Sequence, residues 1–310
     1  MANQIGNTLT SEFIEEDLIA AFERVIGQKT YPKYFLEISR ISQNEEKEKG
    51  YDGILNTLIP IYIQFKRSKF YLPTFAGDLK KGREKLQKPT DKGFYAFNLH
   101  PDDTGGFKQH NTLFTLNKNH KAIYIAPLFH KKSQLTKYKN LHPKFLYRYF
   151  DPFIYEHGHK YQFKSIPLFD HLVSIVPHKL VSSKGITHHY AFDKERNITF
   201  HSEPENPEIK ILSLNEFFNS LIDSNEKNTI NLESYISTVE EIFSRKINST
   251  VLKKIFYYYY RRNGFSFYTG NSNLLNIKKL GILNFLFIFE QILEDFFGIK
   301  QYFLEINNDA

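Results

Sequence analysis

Residues 50–70 read GYDGILNTLIPIYIQFKRSKF, and the reading of the whole chain turns on them. A Gly-Tyr-Asp-Gly turn leads into β-branched and aromatic residues, which is strand composition, with Gln64 and Lys66 set among Ile, Tyr and Phe. Neighbouring strand residues point to opposite faces, so Gln64 and Lys66 project together while Phe65 points the other way. Asp52 lies twelve residues before Gln64, near enough for an adjacent strand or its turn to bring its carboxylate beside them. Carboxylate and amide oxygens both ligate Mg²⁺, which keeps several of its waters. A neighbouring Lys can orient or help deprotonate such a water, or neutralise charge developing on a phosphate. The three residues therefore have the chemistry of a phosphodiesterase site. The plainer alternative makes Asp52 a turn residue favoured by its glycines and puts Gln64 and Lys66 on an exposed edge strand.

Working outward, residues 9–27 carry Phe13, Leu18, Ile19, Phe22 and Ile26 near one helical face, with Thr10 or Ser11 as cap and Gly27 as stop. Strands are expected at 34–42 and 59–68, the second with Pro60 near its start, and a short one within GFYAFNL, 93–99. Residues 109–119 have helical spacing and run directly onto the apolar strand KAIYIAPLF, 121–129, which is half of an α/β unit. Residues 130–205 are rich in His and aromatics, with strand-like pieces at 188–193 and 197–204. From 211 onward the pattern is helical, in segments 214–224, 232–247, 249–264 and 280–299. The best boundary is SEPENPEIK, 202–210. It divides the chain into an α/β domain, 1–205, and a mostly helical region, 206–310, for recognition, dimerisation or regulation.

Length and composition are those of a globular protein: 310 residues, 41% hydrophobic and 16% aromatic, can fill a substantial core. With no Cys, neither disulfides nor a thiolate metal site is available. The N-terminus has no basic stretch followed by an apolar one, and no apolar run of about 18 residues occurs, so a cytoplasmic protein with no membrane partner is expected. The net charge of +7 is unevenly spread: residues 64–150 carry +13 and the rest of the chain −6. Such a concentration of cations among Phe and Tyr suits a phosphate backbone, because each neutralised phosphate releases counterions. The candidate contacts are Arg67, Lys69, Lys80, Lys81, Arg83, Lys131 and Lys132, with DNA the expected partner and RNA not excluded.

Asp52, Gln64 and Lys66, followed by a helix and a strand, resemble the PD-(D/E)XK nuclease superfamily in its Gln-X-Lys form. The likeness covers about residues 9–130. It implies a restriction-endonuclease-like α/β core of helix, mixed sheet and helix, and a metal-dependent endonuclease, with defence against foreign DNA as its setting. Under it Asp52, Gln64 and Lys66 are catalytic, and Asp52 and Gln64 hold Mg²⁺ or Mn²⁺ with a Glu of the first helix. Glu12 and Glu16, four apart on one helical face, are the candidates, with Glu15 the weaker option. Tyr51 stands where the family commonly has Pro, and Gln64 brings no charge. The motif order also looks like that of a group of bacterial proteins, a likeness that supplies no activity. The alternative is a non-catalytic nucleic-acid-binding or assembly subunit of a defence system. A homodimer would place two sites on two strands.

Other features carry less. His110, in the Gln109-His110-Asn111 start of the second helix, could contact phosphate or water, or belong to its N-terminal turn. His157, His159, His188, His189 and His201 lack the spacing of a zinc finger. YYYYRRNG, 257–264, could stack on bases, but packing against the oily segment after it is the favoured reading. The sequence has no nucleophile elbow, phosphate-cradling Gly loop or dinucleotide fingerprint.

Overall fold

A computed structural model describes residues 4–28, 34–37, 58–140, 167–182, 187–201, 204–223, 231–246, 249–262 and 282–306. Asp52, His157 and His159 lie outside these residues. The strand richest in β-branched and aromatic residues, β4 (Leu58–Phe65), lies inside a mixed sheet. Helix α3 (Lys108–Asn119) leads directly into β7 (Lys121–Pro127), which pairs with β4 in parallel from Ile61↔Lys121 to Phe65↔Ile125. Pro60, without an amide hydrogen, falls just before this ladder begins. On the other edge of β4 stands β12 (Lys300–Ile306), antiparallel, which pairs in turn with β3 (Tyr34–Glu37). β8 (Leu172–Ile175) and β11 (Leu212–Ser213) extend the β7 side.

A second sheet is antiparallel throughout, in the order β1 (Gln4–Ile5), β2 (Thr8–Leu9), β5 (Lys69–Tyr71), β6 (Phe94–Asn98), β9 (His189–Phe192), β10 (Ile198–His201). The chain is thus mixed α/β with two sheets, and β4 passes directly into β5 through Lys66, Arg67 and Ser68, crossing from one sheet to the other. Ile61, Ile63 and Phe65 face a core built with α1 (Glu15–Gln28), α4 (Lys132–Lys139), α5 (Pro167–Asp170) and α6 (Leu214–Asp223). Tyr62 faces a second core, shared by α3, α7 (Leu232–Phe243), α8 (Thr250–Arg262), α9 (Ile282–Phe297) and the inner face of the small sheet. The far face of the small sheet is covered by α2 (Asp78–Lys85).

The boundary expected at 202–210 falls between β10 and β11, and the chain beyond it contributes α6 to one core and α7–α9 to the other. It also supplies β12 to the interior of the large sheet. The first helix begins at Glu15, later than Thr10 or Ser11 would cap it. The Ser11 hydroxyl is spent on the Ser68 carbonyl at 2.7 Å, and the Asp17 carboxylate instead accepts the Ile14 amide at 3.2 Å. Three acids in the first turn, Glu15, Glu16 and Asp17, complement the helix dipole.

Arg83 does not face solvent, contrary to the expectation that it grips phosphate. It is fully buried beneath α2, over Phe94, and donates to Asp193 at 2.9 Å and to the Ala191 carbonyl at 2.9 Å. Removing one member of such a pair strands a buried charge. Asp193→Ala should therefore lower the unfolding free energy by about 3–5 kcal/mol, and the double variant Arg83→Met, Asp193→Leu by less. Urea unfolding of the three proteins measures both differences.

Candidate active site at the junction of the two sheets

Where β4 leaves the large sheet its last polar residues are buried: Gln64 is 2% exposed and Lys66 3%. Alternation puts both on the side of α3 and α9, since Phe65 between them packs edge-on against Phe22 of α1 at 5.1 Å. The backbone is pinned on the β7 side, with the Lys66 amide donating to the Ile125 carbonyl at 2.9 Å and the Ser68 hydroxyl to the Pro127 carbonyl at 2.9 Å. The edge-strand alternative of exposed Gln64 and Lys66 is therefore overturned.

Lys66 Nζ donates to Gln109 Oε1 at 2.9 Å, and Gln109 Nε2 donates to the Phe297 carbonyl at 2.6 Å. One amide in the first turn of α3 thus joins the ammonium to the C-terminal end of α9. Gly298 follows with φ of 61°, and a β-carbon there would come within 3.2 Å of Gln109 Nε2, so backbone and space both favour glycine. Burial lowers the Lys66 ammonium from 10.5 to about 8, against a smaller opposing pull from the Glu15 carboxylate. Glu15 Oε1 accepts the Arg67 amide at 3.3 Å, which brings the start of α1 to the end of β4. His100, just past β6, feels Lys66, Glu15, Arg67 and Lys69, and burial followed by the Lys66 charge pushes its pKa down.

Gln64 Oε1 is buried and has no hydrogen-bond partner among the described residues. Leaving a buried acceptor open costs about 1–3 kcal/mol, and a cation or a water would relieve it. Gln64 and Glu15 therefore offer oxygen donors of the kind Mg²⁺ takes, and the third expected donor, Asp52, lies outside the described residues. Among the described residues no three His, Asp or Glu side chains converge as a metal-binding group.

The remaining expected residues scatter. Glu12 precedes α1, and its carboxylate accepts the Lys132 amide at 2.9 Å, so the face it was expected to share with Glu16 does not exist; Glu16 is exposed. Glu15 is the first-helix acid at the junction. Arg67 and Lys69 are exposed beside Lys66, and Lys131 and Lys132 are exposed at the start of α4. Lys80 and Lys81 ride on α2, where Lys80 Nζ donates to the Pro73 carbonyl at 2.6 Å and Lys81 stands 3.9 Å from Asp78. His110 is buried, with Nδ1 2.8 Å from the Tyr124 hydroxyl and Nε2 2.8 Å from the Lys179 carbonyl, and desolvation lowers its pKa to about 4. Both its ring nitrogens are turned inward, away from any phosphate. His188 is buried, and His201 Nε2 lies 2.8 Å from the Thr199 hydroxyl. Gln109 was visible at the start of its helix, but its contacts 43 and 188 residues away left no local signal.

Comparison of the chain with protein-family models, with curated proteins and with solved structures returns no match.

The unfolded chain binds more protons at Lys66 than the folded one between pH 8 and 10.5, so the stability contributed there rises with pH across that window. The stability of Lys66→Met relative to the wild type should accordingly fall by about 2–3 kcal/mol between pH 7 and pH 10, as measured by urea unfolding at the two pH values. Gln109 stabilises the charged form by accepting its hydrogen bond. Gln109→Leu should lower the Lys66 pKa further and Gln109→Glu should raise it, both read from the NMR titration of the Lys66 ε-carbon.

Proposed function

We propose that the chain is a metal-dependent phosphodiesterase that cuts DNA, built on a restriction-endonuclease-like core. The observation that carries this reading is a buried lysine, drawn down to about 8, two residues along one strand face from an amide oxygen with no hydrogen-bond partner among the described residues. The order α1, β3, β4, then α3 and β7, with β5, α2 and β6 interposed between β4 and α3, supports it through the parallel pairing of β4 with β7, as does Glu15 beside the end of β4. β12 between β3 and β4 belongs to this chain's own version of such a core.

Gln64 Oε1, the Glu15 carboxylate and Asp52 would hold Mg²⁺ or Mn²⁺. Bound there, the ion supplies an acidified water and positive charge against the scissile phosphate. Lys66 titrates close enough to neutrality to pass a proton to or from the attacking water, and burial keeps its charge poorly screened. Gln109 holds Nζ in place. Arg67, exposed on the crossing segment, and Lys69, exposed at the start of β5, meet the backbone phosphates.

A second reading, a nucleic-acid-binding or assembly subunit without catalysis, draws on the same Lys66–Gln109 bond, because that bond ties the ammonium into the packing of α9. Incubation with supercoiled plasmid separates the two. The phosphodiesterase nicks it with Mg²⁺ or Mn²⁺ and not with EDTA. Asp52→Ala and Lys66→Ala each lose that activity by at least a hundredfold while keeping the circular dichroism of the parent. Undiminished nicking by both purified variants would remove this site from consideration, and a salt-sensitive mobility shift without nicking would favour the binding subunit.

A further inference from the structure

Helix α8 presents two faces of different chemistry. On one, Leu252, Phe256 and Tyr259 are buried, Phe256 stacks on Phe285 at 5.3 Å, and the Tyr259 hydroxyl donates to Asp295 at 2.8 Å. Arg262 also donates to Asp295, at 3.0 Å, so α8 is anchored to α9 at a set rotation. On the other face Tyr258 is 60% exposed, Val251 46% and Tyr257 40%, with Lys254 and Arg261 in solvent beside them. Lys254 and Tyr258, and Tyr257 and Arg261, are four residues apart and therefore adjacent on the surface; the Arg261 guanidinium lies over the Tyr257 ring at 6.0 Å.

The segment 250–262 contains four cations and no carboxylate. Two exposed aromatic rings set among cations fit a partner that is flat and apolar in one part and anionic in the next, as unpaired bases along a phosphate backbone are. A duplex hides its base faces within its own stack, so the rings favour the single-stranded form. The location agrees. Asp295, which fixes the C-terminal turn of α8, is two residues from Phe297, whose carbonyl accepts from Gln109, which in turn holds Lys66. The aromatic end of α8 and the junction site are therefore joined through the last turn of α9.

We propose that the exposed face of α8, formed by Lys254, Tyr257, Tyr258 and Arg261, is a stacking surface for single-stranded nucleic acid, with bases on the two tyrosine rings and phosphates on the two cations. This inference rests on the phosphodiesterase reading for its choice of partner and names the form of strand that the chain holds. It also gives the tyrosine run a role beyond packing, since only part of that run is buried.

Fluorescence anisotropy with a labelled 20-nucleotide oligo-dT and a 20-base-pair duplex, both in EDTA, tests it without cleavage. The wild type should bind the single strand, Tyr258→Ala should weaken that binding by about tenfold while changing the duplex less than twofold, and Tyr258→Phe should keep it. Arg261→Gln should reduce the slope of log affinity against log salt by about 0.7. Equal affinity for Tyr258→Ala and wild type, an equal loss on both ligands, or no single-strand binding by the wild type would each overturn the proposal. So would light scattering that shows Tyr258 supporting self-association instead. Nicking of plasmid by a chain whose Tyr258→Ala variant binds like the parent would leave the junction site standing and remove only the α8 surface.

Discussion

β4 is hydrogen-bonded on both edges, by β12 over Leu58–Ile63 and by β7 over Ile61–Phe65, and this pairing carries it into the interior, where its end is covered on both faces, Phe65 by α1 and Lys66 by the first turn of α3. A strand with one face open could turn Lys66 into water. A strand covered on both faces cannot, and the ammonium must then be stabilised from within or drop its pKa. Both occur: Gln109 accepts one hydrogen bond, and the pKa still falls to about 8. Retaining such a residue costs the fold stability at neutral pH, and Met at the same place would fill the space without that cost.

The crossing between sheets explains why several elements meet at this one place. β4 runs out at Phe65 and β5 begins at Lys69, so three residues carry the chain from one sheet to the other. They are held from three directions: by β7 through Ile125 and, via the Ser68 hydroxyl, Pro127, by the segment before α1 through Ser11, and by α1 itself through Glu15. A segment tied in this way presents Arg67 to solvent while Lys66 and Ser68 point inward. An exposed cation, a buried one and a carboxylate are thereby gathered within a few residues, on a backbone that has little freedom to move them apart.

Much of this was legible in the sequence, and the missing parts share a cause. β4, α3 and β7 declared themselves because their patterns are local: a β-branched run, a helical spacing and an apolar stretch bounded by Pro127. β12 did not, because a strand buried on both faces shows no clean alternation, and KQYFLEI follows α9 after only Gly298 and Ile299. The strands of two residues, β1, β2 and β11, are too short for any period. In the site, Gln64 and Lys66 share a face as their spacing requires, whereas the pairing of Glu12 with Glu16 assumed helix where the chain has not yet begun one. Arg83 counted as surface charge because its partner Asp193 lies 110 residues away. A charge run gives the number of cations but not how many of them the fold turns inward.

The buried histidines bear on what the junction can do. Desolvation lowers His110, His120, His189 and His201 to about 4 each, so near neutral pH these rings are uncharged and serve as hydrogen-bonding or packing groups. His110 ties α3 to β7 and to the Lys179 loop, and His120 stacks on Tyr235 of α7 at 4.3 Å. Helix α3 is thus clamped at both ends by neutral imidazoles, and Gln109 in its first turn inherits that rigidity. The amide that grips Lys66 is therefore set by parts of the molecule that do not change charge between pH 6 and 9, while the ammonium it holds does. A fixed acceptor facing an ammonium that burial draws down to about 8 makes Lys66, with His100 coupled to it, the group through which the junction responds to pH.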